Sequence, residues 1–148
     1  MHPTGMTPER ILPHRDHMLL IDEILEVDDS SAVTRSVVKT TWPLCSDQGV
    51  QGLILIELVA QTAGIHNGWI REKRHGAGAD KKGWIVGISH ARLSVDTLPI
   101  GTRLISKAEN RMAFEGFREI YGTVETRNTI VAAVTLQLLR ADTAENTL

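Results

Sequence analysis

Several features that would narrow the class of this chain are missing from it. There is one cysteine, Cys45, in 148 residues. That excludes an internal disulfide framework and multi-cysteine metal sites, and it fits a reducing, cytoplasmic setting. No strong charge of one sign is present either. Sixteen basic against eighteen acidic residues leave a formal charge of −2, so bulk attraction to nucleic acid or an anionic membrane is not expected. Only a local basic patch could serve an acidic carrier protein. The longest apolar stretch, Gly49 to Ile65, is interrupted by Gln51, Glu57 and Gln61 and falls short of the roughly 20 residues of a bilayer span. The opening MHPTGMTPER has no basic region followed by an apolar run, so no secretory leader is expected. Gly-rich phosphate loops, Walker and Rossmann fingerprints and zinc-like histidine spacing are all missing. No metal or cofactor of the protein's own is expected, and activity should not depend on added metal or nicotinamide.

What is present reads as one domain spanning 1–148, with ends at about 1–6 and 142–148 expected to fray. Thr7-Pro8-Glu9-Arg10 starts a short helix that Pro13 closes. Met18 to Val27 and Ala32 to Lys39, separated by Asp28-Asp29-Ser30-Ser31, predict a β-hairpin. A loop from Thr40 to Gln51 follows. Gly52 to about Arg74 predicts one long helix, apolar nearly all round in its first half and therefore buried. Its charged end (Arg71 to Arg74, then His75) is expected to be solvated, with Gly76 and Gly78 as a stop. Four strands then follow, at Trp84–Val95, Arg103–Arg111, Glu115–Glu125 and Ile130–Arg140. An apolar helix between a hairpin and four strands must be covered by sheet, which predicts an α+β fold with an antiparallel sheet wrapped around one long central helix.

Glu57 is the residue that packing alone does not account for. A carboxylate among Leu53–Ile56 and Leu58–Ala60 would cost several kcal/mol if buried charged and unpaired. It must be partnered, protonated through a raised pKa, or open to a pocket. A raised pKa would suit a proton donor. Gln61, one turn later, can hydrogen-bond to Glu57 or to a substrate. The purely structural alternative is a Glu57 at a dimer interface, satisfied by arginine or backbone across a two-fold axis.

Three segments then carry a family resemblance. LPHRDHMLLIDEILEVD (Leu12 to Asp28), GLILIELVAQTAGI (Gly52 to Ile65) and ARLSVDTLPIGTRL (Ala91 to Leu104) resemble, in order, the N-terminal signature, central helix and "ARF … PGD.L" hairpin of the 3-hydroxyacyl-carrier-protein dehydratases. With the strands between, the likeness covers roughly Leu12 to Leu139, and the helix ending AQTAGIHNGW is similar to a divergent branch found with aryl-polyene biosynthesis. The resemblance implies a hot-dog fold, a homodimer or an assembly of dimers, and a substrate carried as a thioester on acyl carrier protein or coenzyme A. It places Glu57 on the family's catalytic acid and Gly52 on its helix-initiating glycine. Gly52 and Leu53 would then offer backbone N–H groups to the thioester oxygen. The alternative is that Gly52 merely starts the helix tightly.

One departure is large. The family's catalytic histidine, in a "GHFPGHP" loop fourteen residues before the acid, is Pro43 here, within WPLCSDQGVQG. Candidates for a replacement base are His17, just after the LPHR motif, and Asp47, ten residues before Glu57. His14 better suits packing or hydrogen bonding, and His66 lies too far along the helix, about 13 Å away. Cys45 reads as a small buried side chain. His75 with Arg71–Arg74 could contact a phosphopantetheine or carrier protein. Three functional readings follow: a 3-hydroxyacyl thioester dehydratase; an acyl thioesterase, whose helix carboxylate directs water without a loop histidine; and a non-catalytic subunit that holds an acyl chain or pairs with an active partner.

Overall fold

The computed structural model describes residues 5–76, 83–115 and 117–140. Of the ends expected to fray, at about 1–6 and 142–148, all but residues 5 and 6 lie outside these residues, as does Gly78 of the helix stop. Helix α1 (Pro8–Ile11) starts as its sequence requires. Extended Thr7 caps it by accepting from the Arg10 N–H, and Pro8 takes the first turn, where no backbone donor is missed. After Pro13 the chain makes a 3-10 turn at Asp16–Met18, so the strand foreseen from Met18 begins only at β1 (Glu23–Val27).

β1 pairs antiparallel with β2 (Ser31–Val37), from Glu23 opposite Arg35 to Val27 opposite Ala32. Asp28 closes the hairpin by accepting from the N–H groups of Ser30 and Ser31, each at 2.9 Å. Those bonds, Ser30's first, hold its carboxyl below the ordinary range. Along β2 every second residue (Ala32, Thr34, Ser36) is buried, the period-two signature of a sheet covered on one face.

The expected loop after Thr40 is partly ordered. It holds two short strands, β3 (Cys45–Ser46) and β4 (Gly49–Gln51). With β6 (Thr97–Leu98) they form a separate three-stranded sheet. Pairs this short leave no periodic trace in sequence. Cys45 is exposed on this hairpin, not buried as expected, because its strand lies outside the core.

Helix α2 (Ile54–His75) runs for 22 residues, about 33 Å. β5 (Gly83–Leu93), β7 (Arg103–Phe114), β8 (Phe117–Thr126) and β9 (Thr129–Arg140) complete a six-stranded antiparallel sheet in the order β1-β2-β7-β8-β9-β5. A bulge between Asn110 and Met112 lets β7 continue to Phe114 where a break was expected. Leu55, Leu58, Val59, Ala63 and Ile65 of α2 pack into one cluster with Leu104, Ile120, Val124, Val134 and Leu136 of the sheet. The architecture is the expected one, a hot-dog arrangement of sheet around helix. The helix end differs: Lys73 and Arg74 are exposed, but Arg71 is buried, since its position falls on the covered face. No helix among the described residues is long and apolar enough to cross a membrane.

Helix and sheet come close together at Gly122 of β8, where an added Cβ would lie 2.3 Å from Val59 Cγ1. The β-branched Val59 has little rotamer freedom with which to yield. Gly122→Ala should cost about 1–3 kcal/mol by overpacking, and adding Val59→Ala should recover part of the loss. Urea denaturation of the two variants checks this; equal stability of Gly122→Ala and wild type would contradict the packing.

Candidate active site

Glu57 lies one turn into α2, on the side of the helix turned from the sheet, with its side chain 36% exposed. Two groups converge on one of its oxygens. His14 Nε2 lies 3.2 Å from Oε1, and Gln61 Nε2 donates to the same Oε1 at 3.1 Å. Oε2 has no partner among the described residues. One oxygen is anchored, the other left open.

The anchor is itself rooted in the core. Gln61 is fully buried and makes three hydrogen bonds. Its Oε1 accepts from the Leu20 N–H at 2.9 Å, and its Nε2 donates to the Met18 carbonyl at 2.7 Å as well as to Glu57. The amide thus fastens the segment before β1 to the helix and turns its remaining donor capacity toward the carboxylate. Burial pushes the Glu57 carboxyl up, but His14 and Gln61 together outweigh burial and leave it below its ordinary value of 4.5. The raised value that a resting proton donor would need is not found. Glu57 is ionised at neutral pH, and its Oε1 has two partners from its own chain.

The backbone donors are placed differently from expectation. The Gly52 N–H already donates to the Asp96 carbonyl at 2.9 Å. A Cβ at Gly52 would lie 2.2 Å from the Val95 carbonyl oxygen, so glycine is required there for close backbone approach and tight helix entry. Gly52 is thereby corrected as a substrate donor. The unpaired amides at the helix start are those of Leu53 and Ile54, which have no acceptor among the described residues. The Leu53 side chain, one turn before Glu57, is 57% exposed and gives the carboxylate an apolar neighbour.

Neither proposed base meets Glu57 in this chain. His17 is exposed on the 3-10 turn and lines a shallow groove with Glu9, Asp22, Lys39 and Trp42. Asp47 is exposed in the turn between β3 and β4. His66 is buried in the core, and burial pushes its imidazole down. The histidine that does reach Glu57 is His14, whose signal in the sequence was its place in the LPHR segment.

Because folding lowers the Glu57 carboxyl, its contribution to stability is full above 4.5 and is lost as pH falls through the lower folded value. Gln61→Leu removes one donor from Oε1, so the Glu57 titration should move upward. It also leaves the buried Leu20 N–H without its acceptor, which should cost about 1–3 kcal/mol. Denaturation midpoints followed from neutral to acid pH test both effects; an acid limb unmoved in the variant would show that Gln61 does not govern the carboxylate.

Comparison with known proteins agrees with this fold. A family model described as ApeP-like, the ApeP dehydratase, matches residues 6–148. No curated protein matches the sequence. Among solved structures, the dehydratase heterocomplex ApeI:P from Xenorhabdus doucetiae is similar at 23% identity and a TM-score of 0.85, covering 96% of this chain and 95% of that one. The HP0420 homologue from Helicobacter felis is 16% identical over 89% of this chain and 98% of its own, with a TM-score of 0.66. The conserved protein PA5202 from Pseudomonas aeruginosa is 14% identical over 93% and 99%, with a TM-score of 0.67. These structures share the fold. The family match covers nearly all of the sequence, and on that ground the chain belongs to the ApeP-like dehydratases.

Proposed function

We propose that the chain dehydrates 3-hydroxyacyl thioesters carried on acyl carrier protein or coenzyme A, with Glu57 as its reacting group. The observation that carries this reading is the half-exposed, ionised carboxylate with Oε1 anchored and Oε2 open. Oε2 takes the proton from C2 of the substrate, and the electron pair left on C2 forms the C2–C3 double bond as the C3–O bond breaks. The departing hydroxyl takes a proton back from Glu57 and leaves as water, which restores the carboxylate. Charge that develops on the thioester oxygen meets the Leu53 and Ile54 N–H groups at the positive end of the helix dipole.

A second subunit belongs to this reading. β5 is an edge strand of the large sheet, and Ile88, Ser89, His90, Ala91 and Arg92 are exposed in succession, so both faces lack cover over that stretch. An edge of 11 residues with no neighbouring strand among the described residues is a template for another strand. A second copy of this chain is the simplest occupant; a related chain is the other, and the similar Xenorhabdus structure is titled a heterocomplex.

The thioesterase reading draws support from the same low carboxyl pKa, since an ionised carboxylate can direct water at a thioester carbonyl. Purified protein incubated with 3-hydroxyacyl and acyl thioesters, on carrier protein and on coenzyme A, separates the readings. Enoyl absorbance without free thiol is expected, with at least an approximately hundred-fold loss of rate in Glu57→Gln. Free thiol without enoyl product would establish hydrolysis instead. Turnover only after addition of a loop-histidine homologue would make the chain a partner subunit, and unchanged turnover in Glu57→Gln would remove Glu57 from the chemistry.

A further inference from the structure

The four residues Leu12-Pro13-His14-Arg15 join α1 to the 3-10 turn, and each has a separable physical task. Leu12 is buried against α2, where a Cβ on Gly64 would lie 2.8 Å from Leu12 Cδ2. Gly64 is two turns beyond Glu57, on the same side of the helix. Pro13 ends α1. Arg15 Nη1 donates to the carbonyls of Leu12 and His14, each at 2.7 Å, which ties the turn shut around His14. The constrained histidine then directs Nε2 to Glu57 Oε1 at 3.2 Å. Its other nitrogen, Nδ1, is buried with no hydrogen-bond partner among the described residues.

That last fact decides what His14 can do. An imidazole that relays a proton needs a partner on each nitrogen, whereas this one meets Glu57 on one side and, among the described residues, no hydrogen-bonding group on the other. Its ring is aimed by the backbone turn that Arg15 closes. Among the described residues it is the titratable group that acts on Glu57; Arg15, next to it, is turned to backbone carbonyls, and Gln61 on α2 is neutral.

We propose that His14 is a positioning residue for Glu57, holding Oε1 so that Oε2 is the oxygen presented to substrate. In its consequence for catalysis this rests on the dehydratase reading; in its consequence for the carboxylate it does not. The test therefore uses two readouts on the full chain. The first is the carboxyl carbon-13 titration of Glu57 without substrate, in wild type, His14→Ala, His14→Asn and His14→Gln. The second is the pH profile of kcat/KM for enoyl formation.

Loss of the Nε2 contact should raise the Glu57 midpoint in the Ala variant, and in the Asn variant, whose amide is too short to reach. The acid limb of kcat/KM should rise with it. Near neutral pH, kcat should fall by up to about a hundred-fold with KM little changed, as expected for a misplaced reacting group. Gln sets an amide near the position of Nε2 and should bring midpoint and rate most of the way back. If one variant fails to fold, the others read the same contact. A Glu57 midpoint unmoved in both Ala and Asn would overturn the proposal, as would a Gln variant no better than Ala. Shifted midpoints together with a wild type that turns over no thioester would uphold the hold on Glu57 and defeat the reaction assigned to it.

Discussion

A carboxylate on a mostly buried helix stays ionised only where donors replace the water it has lost. Here they come from two directions and meet on one atom. Gln61 reaches Glu57 along the helix, and His14 reaches it from the segment ahead of β1. Both donors are themselves held in place. Gln61 is fixed by the Met18 carbonyl and the Leu20 amide, and the His14 turn is closed by Arg15. Leaving Oε2 free is thus a consequence of how the N-terminal segment docks on α2, and that docking in turn requires the sheet to cover the opposite face of the helix.

The sheet does so because the sequence divides its apolar residues in two ways. Alternation along β2 and the later strands turns one face of the sheet inward, and the first half of α2 offers apolar surface to meet it. Close approach is allowed by small residues at the crossing points: Gly122 beneath Val59, and Gly64 beneath Leu12. Gly52 performs a comparable task at the helix start, where backbone rather than side chain comes close. That role uses up its amide and passes the unpaired donors to Leu53 and Ile54.

Much of this was legible in the residues, for stated reasons. A long apolar run with a charged end and a glycine stop made α2 plain, the breaks between apolar stretches marked the long strands, and Thr7-Pro8 marked the first helix. Glu57 stood out because an acid in an apolar run demands an explanation, and Gln61 because one helical turn brings it alongside. The short strands β3, β4 and β6 were not legible, since two or three residues carry no period. The direction of the Glu57 shift could not be read either. Helix context alone speaks for burial, which raises a carboxyl, whereas the opposing donor from His14 arrives across 43 residues of chain. His17 was suggested by its place after the LPHR motif and Asp47 by its place in the loop ahead of the helix, and both are exposed in turns that do not bring them to Glu57. The exposed Cys45 follows from a hairpin that sequence did not disclose.

The central claim is that Glu57 meets substrate through Oε2 while His14 and Gln61 keep hold of Oε1. A crystal structure with a 3-hydroxyacyl pantetheine amide, which replaces the labile thioester, tests it most directly. The account predicts C2 and the 3-hydroxyl within about 3–3.5 Å of Oε2, the amide carbonyl facing the Leu53 and Ile54 N–H groups, and the contacts to Oε1 intact. A ligand bound away from Glu57, or one that reaches it only by displacing His14, would contradict the account.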